Sequence, residues 1–322
     1  MAIVFLGTSD FAAAVLTRLS ESLEFRPALV VTRPDRPSGR GRRLTAPPVA
    51  VRARELGLAL AQPESVNDAA ARRLIAGAAA HSEGGAPAEQ PVGAGPACAA
   101  ASRQTVVVCA FGALIKEPLL SDHEILNVHP SLLPRWRGAA PIERAIMAGD
   151  AQSGVSIMRL TAGLDSGPVC LAEAEPVAAQ DTYGSLAERL ALLGGTLLLR
   201  ALTESPPCVE QPEDGVTYAE KIAAADRLLD PLRPALELER LVRALQPHIG
   251  ARVALGDGSM LGVERATLVD PEPGSEHGLH VRDGRLLLAC RPGTLELLTV
   301  QPPGGRPMEA SAYLRGRPGG RP

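Results

Sequence analysis

Aromatic side chains are nearly missing from this chain: Phe, Tyr and Trp make up 2% of its 322 residues, with a single Trp. Any binding of nucleic-acid bases must therefore rely little on stacking. A basic excess is missing too, since 33 Lys and Arg face 36 Asp and Glu for a net charge of −3, so the chain as a whole lacks the footprint of a basic nucleic-acid-binding domain. No stretch of about eighteen uncharged apolar residues occurs. The start MAIVFLGTSDFA has no basic flank ahead of an apolar run. Both features argue against a membrane partner or a secretion signal, and the cytoplasm is the expected compartment. The five cysteines, Cys98, Cys109, Cys170, Cys208 and Cys290, are odd in number, scattered and never spaced Cys-x-x-Cys. That argues against a disulfide framework and a thiolate metal site, and no metal is expected. Cys109 and Cys170 lie in apolar, strand-like runs and read as packing residues. No Gly-x-Gly-x-x-Gly follows the first strand-like segment, so a dinucleotide cofactor is a poor reading.

What is present is a chain with 45% hydrophobic residues, long enough for two domains. Residues 3–6 read as a buried strand, and Gly7, Thr8 and Ser9 turn into a helix with Phe11, Val15, Leu16 and Leu19 on one face. Strand-like runs at 28–31, 57–61 and 105–110 alternate with helical stretches at 49–55 and 68–78, the pattern of an α/β, Rossmann-like doubly wound parallel sheet. Residues 79–102 are rich in Ala, Gly and Pro and read as a flexible insertion that carries no chemistry. A helix at 141–149, strands at 155–160 and 168–174 and a long helix at 182–202 complete a first domain at 1–204. A Pro-rich, acidic stretch at 205–216 reads as a linker. Residues 217–322 hold a helix at 236–245 and strand-like runs at 252–255, 260–269, 279–281, 285–289 and 294–300, punctuated by Gly-Asp and Asp-Gly turns, which suggests a small β-barrel. The tail from 315 is expected to be disordered.

One run gathers an amide, an imidazole and a carboxylate around a Pro/Gly-rich bend: Asn127-Val-His129-Pro-Ser131-Leu132-Leu133-Pro134-Arg-Trp-Arg-Gly138, followed later by Gly163-Leu-Asp165-Ser-Gly167. If residues 125–128 close a strand, the period-two pleat sends Asn127 and His129 to the same side, beyond the carboxyl edge where ligands of such sheets bind. Pro130 and Pro134 force the chain between them into a bent wall. A carboxamide donates without changing charge, and a histidine beside a carboxylate can be held protonated, so both can stabilise an oxyanion formed at a carbonyl. Asp165 is the candidate partner of His129. Singly, each residue has a plainer reading as a turn cap, a satisfied half-buried histidine or a turn residue. A second feature is the crowding of Arg33, Arg36, Arg40, Arg42 and Arg43 among Pro and Gly with a single acid, Asp35. On composition alone it is equally a solvated loop or a phosphate-binding one.

The order of these motifs resembles the folate-dependent formyltransferases, and among them those acting on methionyl-tRNA. The resemblance runs from Phe5-Leu-Gly7-Thr8-Ser9-Asp10-Phe11 through the arginine-rich stretch and the central run to Gly215-Val-Thr-Tyr218-Ala-Glu-Lys221 and Leu298-Thr-Val-Gln301-Pro302. It implies that Asn127, His129 and Asp165 are catalytic and that Ser131, Leu132, Leu133 and Pro134 lie beside the folate. It also implies 10-formyltetrahydrofolate as formyl donor, tetrahydrofolate as product, initiator methionyl-tRNA as partner and an OB-like fold for the C-terminal barrel. The arginine loop would enter the acceptor arm of the tRNA. Lys221 would contact a phosphate or form a structural salt bridge, and a monomer is expected. The implied reaction is direct attack by the methionyl amine without an acyl-enzyme, so Cys109 is no nucleophile. Departures from the family's pattern fall at Ser9, usually proline, and at Ala224, Pro231 and the Gln-Pro-His-Ile after Leu245, which touch the tRNA-binding part more than the reaction. Rival readings are a formyltransferase acting on an amino sugar or other small amine, and a non-catalytic RNA-binding protein on the same scaffold.

Overall fold

The computed structural model describes residues 2–38, 43–78, 104–270 and 277–316. The insertion expected at 79–102, Cys98, Arg40, Arg42 and the last residues of the tail lie outside the described residues. The tail's beginning is not irregular: Arg315 ends a helix. In chain order the elements up to the long helix are β1 (Ala2–Gly7), α1 (Asp10–Ser20), β2 (Leu29–Val31), β3 (Arg36–Ser38), β4 (Arg43–Thr45), α2 (Pro48–Glu55), β5 (Leu60–Ala61), α3 (Ala69–Gly77), β6 (Gln104–Cys109), α4 (Leu119–Asp122), β7 (Glu124–His129), β8 (Arg137–Gly138), α5 (Pro141–Ala148), β9 (Gln152–Arg159), β10 (Val169–Pro176) and α6 (Tyr183–Glu204). There follow β11 (Tyr218–Ala219), a 3-10 turn (Ala225–Arg227), α7 (Ala235–Ala244), β12 (Ala251–Ala254), β13 (Met260–Val269), β14 (Gly278–Arg282), β15 (Arg285–Ala289), β16 (Thr294–Gln301), β17 (Met308–Glu309) and α8 (Ala310–Arg315). The chain divides into two compact units, one of Met1–Arg137, Gly154–Ala174 and Glu188–Thr217, the other of Gly138–Ser153, Glu175–Ala187 and Tyr218–Pro322.

The first unit is built on a seven-stranded sheet in the order β10-β9-β7-β6-β1-β2-β5. From β7 to β5 the pairs are parallel, and every residue of β1 is buried, as an unbroken apolar run in a two-sided sheet requires. Each such buried Val, Leu or Ile contributes roughly 1.5–3 kcal/mol. The β7–β9 pair is antiparallel, so the sheet is mixed at this edge and not wholly parallel as expected. The connection is long enough for a parallel crossover, but the bend and α5 return the chain so that β9 runs opposite to β7. Ser9 caps α1 by accepting from the Ala12 amide at 3.3 Å, so serine serves this helix entry. Two glycines inside α6 let the helix approach its neighbours closely, Gly194 the sheet and Gly195 helix α1. A Cβ on Gly194 would sit 2.9 Å from the Val128 side chain, and one on Gly195 2.7 Å from Arg18. Val128 lies between Asn127 and His129, so the approach at Gly194 supports the C-terminal end of β7 from behind.

The second unit carries a curled antiparallel half-barrel in the order β12-β13-β16-β15-β14, with β17 added to β16. One face of α7, with Leu238, Leu241, Val242 and Leu245, shares a core with Val253, Leu261, Val263, Leu286, Leu288, Leu295, Leu297 and Val300. Asp283 and Gly284 join β14 to β15 with φ of 49° and 74°, the backbone of a two-residue hairpin turn that suits an Asp-Gly pair. Among the described residues no helix is long and apolar enough to cross a membrane.

Candidate active site

β7 ends in Asn127, Val128 and His129, all buried, and the pleat turns Asn127 and His129 to the same side. The loop between β9 and β10 brings Asp165 to them. The Asn127 Nδ2 donates to Asp165 Oδ1 at 3.3 Å, and His129 Nδ1 lies 3.7 Å from Asp165 Oδ2. One carboxylate oxygen thus faces each of the other two groups. The second contact is too long for a hydrogen bond, and it leaves the carboxylate facing the ring edge. On the other side of the ring, His129 Nε2 is 2.9 Å from the Trp136 carbonyl oxygen. A carbonyl only accepts, so Nε2 carries a hydrogen, and a proton at Nδ1 as well makes the ring a cation. The Asn127 amide has two N–H bonds, of which the bond to Asp165 uses one.

The bend after His129 is held from within. Ser156, fully buried opposite His129 on β9, donates to the Ser131 carbonyl at 2.8 Å and accepts from the Leu133 amide at 3.1 Å. Ser131 donates its own hydroxyl to the Arg135 carbonyl at 2.6 Å, so its role here is to shape the turn. Leu132, Leu133 and Pro134 are half-buried and form the apolar edge of the bend. Leu132 packs so tightly on Gly154 that a Cβ there would meet its side chain at 2.5 Å.

The Asp165 loop depends on its glycines and on the segment read as a linker. A Cβ on Gly167 would lie 2.0 Å from the Arg159 carbonyl oxygen, so no other residue fits. Asp165 itself sits at φ 43°, in the left-handed region. Gln211 donates to the carbonyls of Asp165 at 2.9 Å and Gly167 at 2.7 Å. Just before it, Val209 exchanges two backbone hydrogen bonds with Val169, and Cys208 is disulfide-bonded to Cys170. This corrects the reading of the cysteines as unpaired and of Cys170 as a packing residue. Antiparallel pairing of Val169 with Val209 makes Cys170 and Cys208 direct cross-strand neighbours in a position without ladder hydrogen bonds, where strands come closest; their Cα atoms are 3.9 Å apart. Cys109 is free and buried, and burial pushes its thiol well above the usual range, consistent with a packing role.

The arginine-rich stretch is more ordered at its flanks than a flexible loop. β3 and β4 pair with Arg36 opposite Thr45 and Ser38 opposite Arg43, so Arg36 and Arg43 share a face of a small ribbon, and both are exposed. Arg33, at its base, reaches the Gly112 carbonyl at 3.4 Å, while Gln62 donates to the Arg33 carbonyl at 3.0 Å and to Asp35 at 2.7 Å. Lys221, in the other unit, is exposed. Sequence reasoning missed Ser156, Trp136, Gln211 and Thr217, whose hydroxyl accepts the Trp136 amide at 2.9 Å. Trp136 and Thr217 lie inside motifs quoted above, but nothing in their immediate sequence names these partners.

Comparison with known proteins bears on the family and the fold. A family model described as formyl transferase matches residues 1–202, and one described as formyl transferase, C-terminal domain, matches residues 221–318. The methionyl-tRNA formyltransferase of Halorhodospira halophila is 42% identical over 98% of this chain and 96% of its own length. Among solved structures, the methionyl-tRNA formyltransferase from Clostridium thermocellum superposes with a TM-score of 0.56 at 12% identity, covering 85% of this chain and 95% of that one. A variant of HypX from Aquifex aeolicus superposes with a TM-score of 0.63 at 15% identity, and there the chain covers 47% of the longer protein. At these identities the solved structures speak for the fold alone.

Proposed function

The chain belongs to the formyl transferase family, and we propose that it moves a formyl group from 10-formyltetrahydrofolate to the free amino group of methionine on initiator methionyl-tRNA, for translation initiation. The observation that carries this reading is the convergence of Asn127, His129 and Asp165 on one point beside the apolar edge of Leu132, Leu133 and Pro134. An apolar edge ending in convergent polar groups fits a planar folate ring that bears a reactive formyl group. Bound there, 10-formyltetrahydrofolate supplies the formyl carbon on N10: the amine nitrogen bonds to that carbon, the bond to N10 breaks, the amine loses a proton and N10 gains one.

The chain's own residues act on charge and protons. Asn127 keeps one N–H on Asp165 and gives the other to the formyl oxygen, where negative charge gathers during the transfer. His129 donates from Nε2 to the Trp136 carbonyl, so a proton at Nδ1 places positive charge next to both Asp165 and that oxygen. Asp165 steadies the charged ring and accepts the amine's proton, directly or through water. The three act as one unit, and no side chain forms a covalent intermediate. In this reading residues 1–204 are the catalytic domain, 205–216 connect it to an OB-like tRNA-binding domain at 217–322, and Arg33, Arg36, Arg40, Arg42, Arg43 and Lys221 meet the tRNA backbone. The protein works as a cytoplasmic monomer.

The test is release of tetrahydrofolate from 10-formyltetrahydrofolate with initiator methionyl-tRNA, elongator methionyl-tRNA or small amines, including an amino sugar, as acceptor. Formylation of the initiator alone is expected, and preference for a small amine overturns the reading. Asn127→Ala is expected to lower kcat by roughly 10²–10³-fold, the loss usual for one oxyanion donor.

A further inference from the structure

We infer that Gln211, in the segment that joins the two homology regions, is a positioning residue that holds Asp165 in its reactive place; the inference rests on the reading of Asn127, His129 and Asp165 given above. Asp165 occupies φ 43°, in the left-handed region that L side chains enter at a cost, Asp at less cost than most, so contacts that hold the turn matter to where its carboxylate points. The Gln211 carboxamide supplies such contacts. Its two N–H bonds are directed to the two carbonyls that bracket the turn, Asp165 at 2.9 Å and Gly167 at 2.7 Å, and its oxygen accepts from Arg137 Nε at 2.9 Å. The orientation is unambiguous, because flipping the amide would set oxygen against two carbonyls and nitrogen against a guanidinium.

Gln211 is itself anchored. Val209 is bonded in both directions to Val169, at 2.8 and 2.9 Å, and Cys208 is joined to Cys170, so the carboxamide projects from a segment fixed to β10. The same segment reaches the other arm of the site. The Thr217 hydroxyl accepts from the Trp136 amide, the Thr217 carbonyl accepts from the Arg137 amide at 2.9 Å, and the Thr217 amide donates to the Pro134 carbonyl at 3.4 Å. Trp136 is the residue whose carbonyl orients His129. Residues 208–217 therefore tie the loop that carries Asp165 to the bend that orients His129. From this segment, the Gln211 side chain is hydrogen-bonded to the Asp165 turn.

A positioning role has a kinetic signature. With Gln211→Ala, kcat should fall about 10–100-fold, the range in which an ångström-scale displacement of a reacting group acts, while KM for both substrates stays within about threefold. In an Asp165→Ala background, followed by single turnover, the same substitution should cost less than about twofold, because the group it positions is gone. Gln211→Glu keeps the size and the contact with Arg137 and turns the donors into a carboxylate facing two carbonyls. Its rate relative to the unaltered protein should rise as pH falls and the carboxyl regains a donor.

Three results overturn the inference: kcat within twofold of normal in Gln211→Ala, a loss confined to KM, or an undiminished loss on top of Asp165→Ala. If Gln211→Ala does not fold, Gln211→Glu decides alone, and a ratio flat with pH overturns it. Near-normal activity of Asp165→Ala is a different outcome, which sinks the assignment of the catalytic trio itself.

Discussion

His129 Nε2 lies 2.9 Å from the carbonyl oxygen of Trp136, and Trp136 presents that oxygen from a backbone at φ 64°. The histidine's orientation is therefore set by a main-chain group whose conformation most side chains disfavour. The Trp136 ring lies 4.4 Å from the Arg135 guanidinium. Trp136→Gly preserves the left-handed backbone at little steric cost, whereas Trp136→Val adds a β-branched side chain that resists it. The valine variant should lose about 1–3 kcal/mol of stability and more activity than the glycine variant. Thermal unfolding and kcat of the two variants check this, and equal losses in both would detach the effect from the backbone.

Ser156 bridges the bend with two hydrogen bonds while fully buried. Ser156→Ala leaves the Ser131 carbonyl and the Leu133 amide without that partner in a place water reaches poorly, at a cost of about 1–3 kcal/mol. Because the bend is the proposed folate edge, KM for 10-formyltetrahydrofolate should rise more than KM for methionyl-tRNA. A steady-state titration of each substrate separates the two.

The Cys170–Cys208 disulfide closes a loop 38 residues apart in sequence. Its loss should cost about 2–4 kcal/mol, largely by loosening the unfolded chain. The folded segment keeps its two Val169–Val209 bonds and both Gln211 bonds. A Cys170→Ser/Cys208→Ser variant should therefore melt several degrees lower and keep kcat within about twofold. Peptide mapping without reductant should recover the linked pair, and a large kcat loss on removing it would show that the hydrogen bonds alone do not hold the segment.

Cys290, free in the core of the second unit, has its thiol pushed up to about 11 by burial, from an ordinary value of 9.0. The folded state then holds the proton more tightly than the unfolded one. The sign follows: this contribution is whole below pH 9.0 and is lost as pH rises towards about 11. Denaturant unfolding at pH 8, 9, 10 and 11 should show a steeper alkaline loss for the unaltered protein than for Cys290→Ala. Parallel curves would contradict it.

Local pattern carried much of the fold. β13 and β15 fall where alternation and Asp-Gly turns put them, at Met260–Val269 and Arg285–Ala289, and α1 starts where Ser9 precedes Phe11. These elements are specified by residues a few positions apart, and so is the placement of Asn127 and His129 on one side of β7. The antiparallel β7–β9 edge was less legible, because strand direction depends on where the intervening chain packs and not on the strand's own residues.

The sequence by itself determined the amide and the imidazole at alternate positions of one strand, the glycine-bounded carboxylate and the cadence of the elements, since each is written in short-range spacing. Only the tertiary structure decided that Gln211 would grip the Asp165 turn, that Ser156 would brace the bend and that Cys170 would meet Cys208. Those contacts join residues 25 to 46 positions apart. Such a partner is chosen by how strands and loops are laid side by side, and nothing in either residue's immediate neighbourhood records the choice.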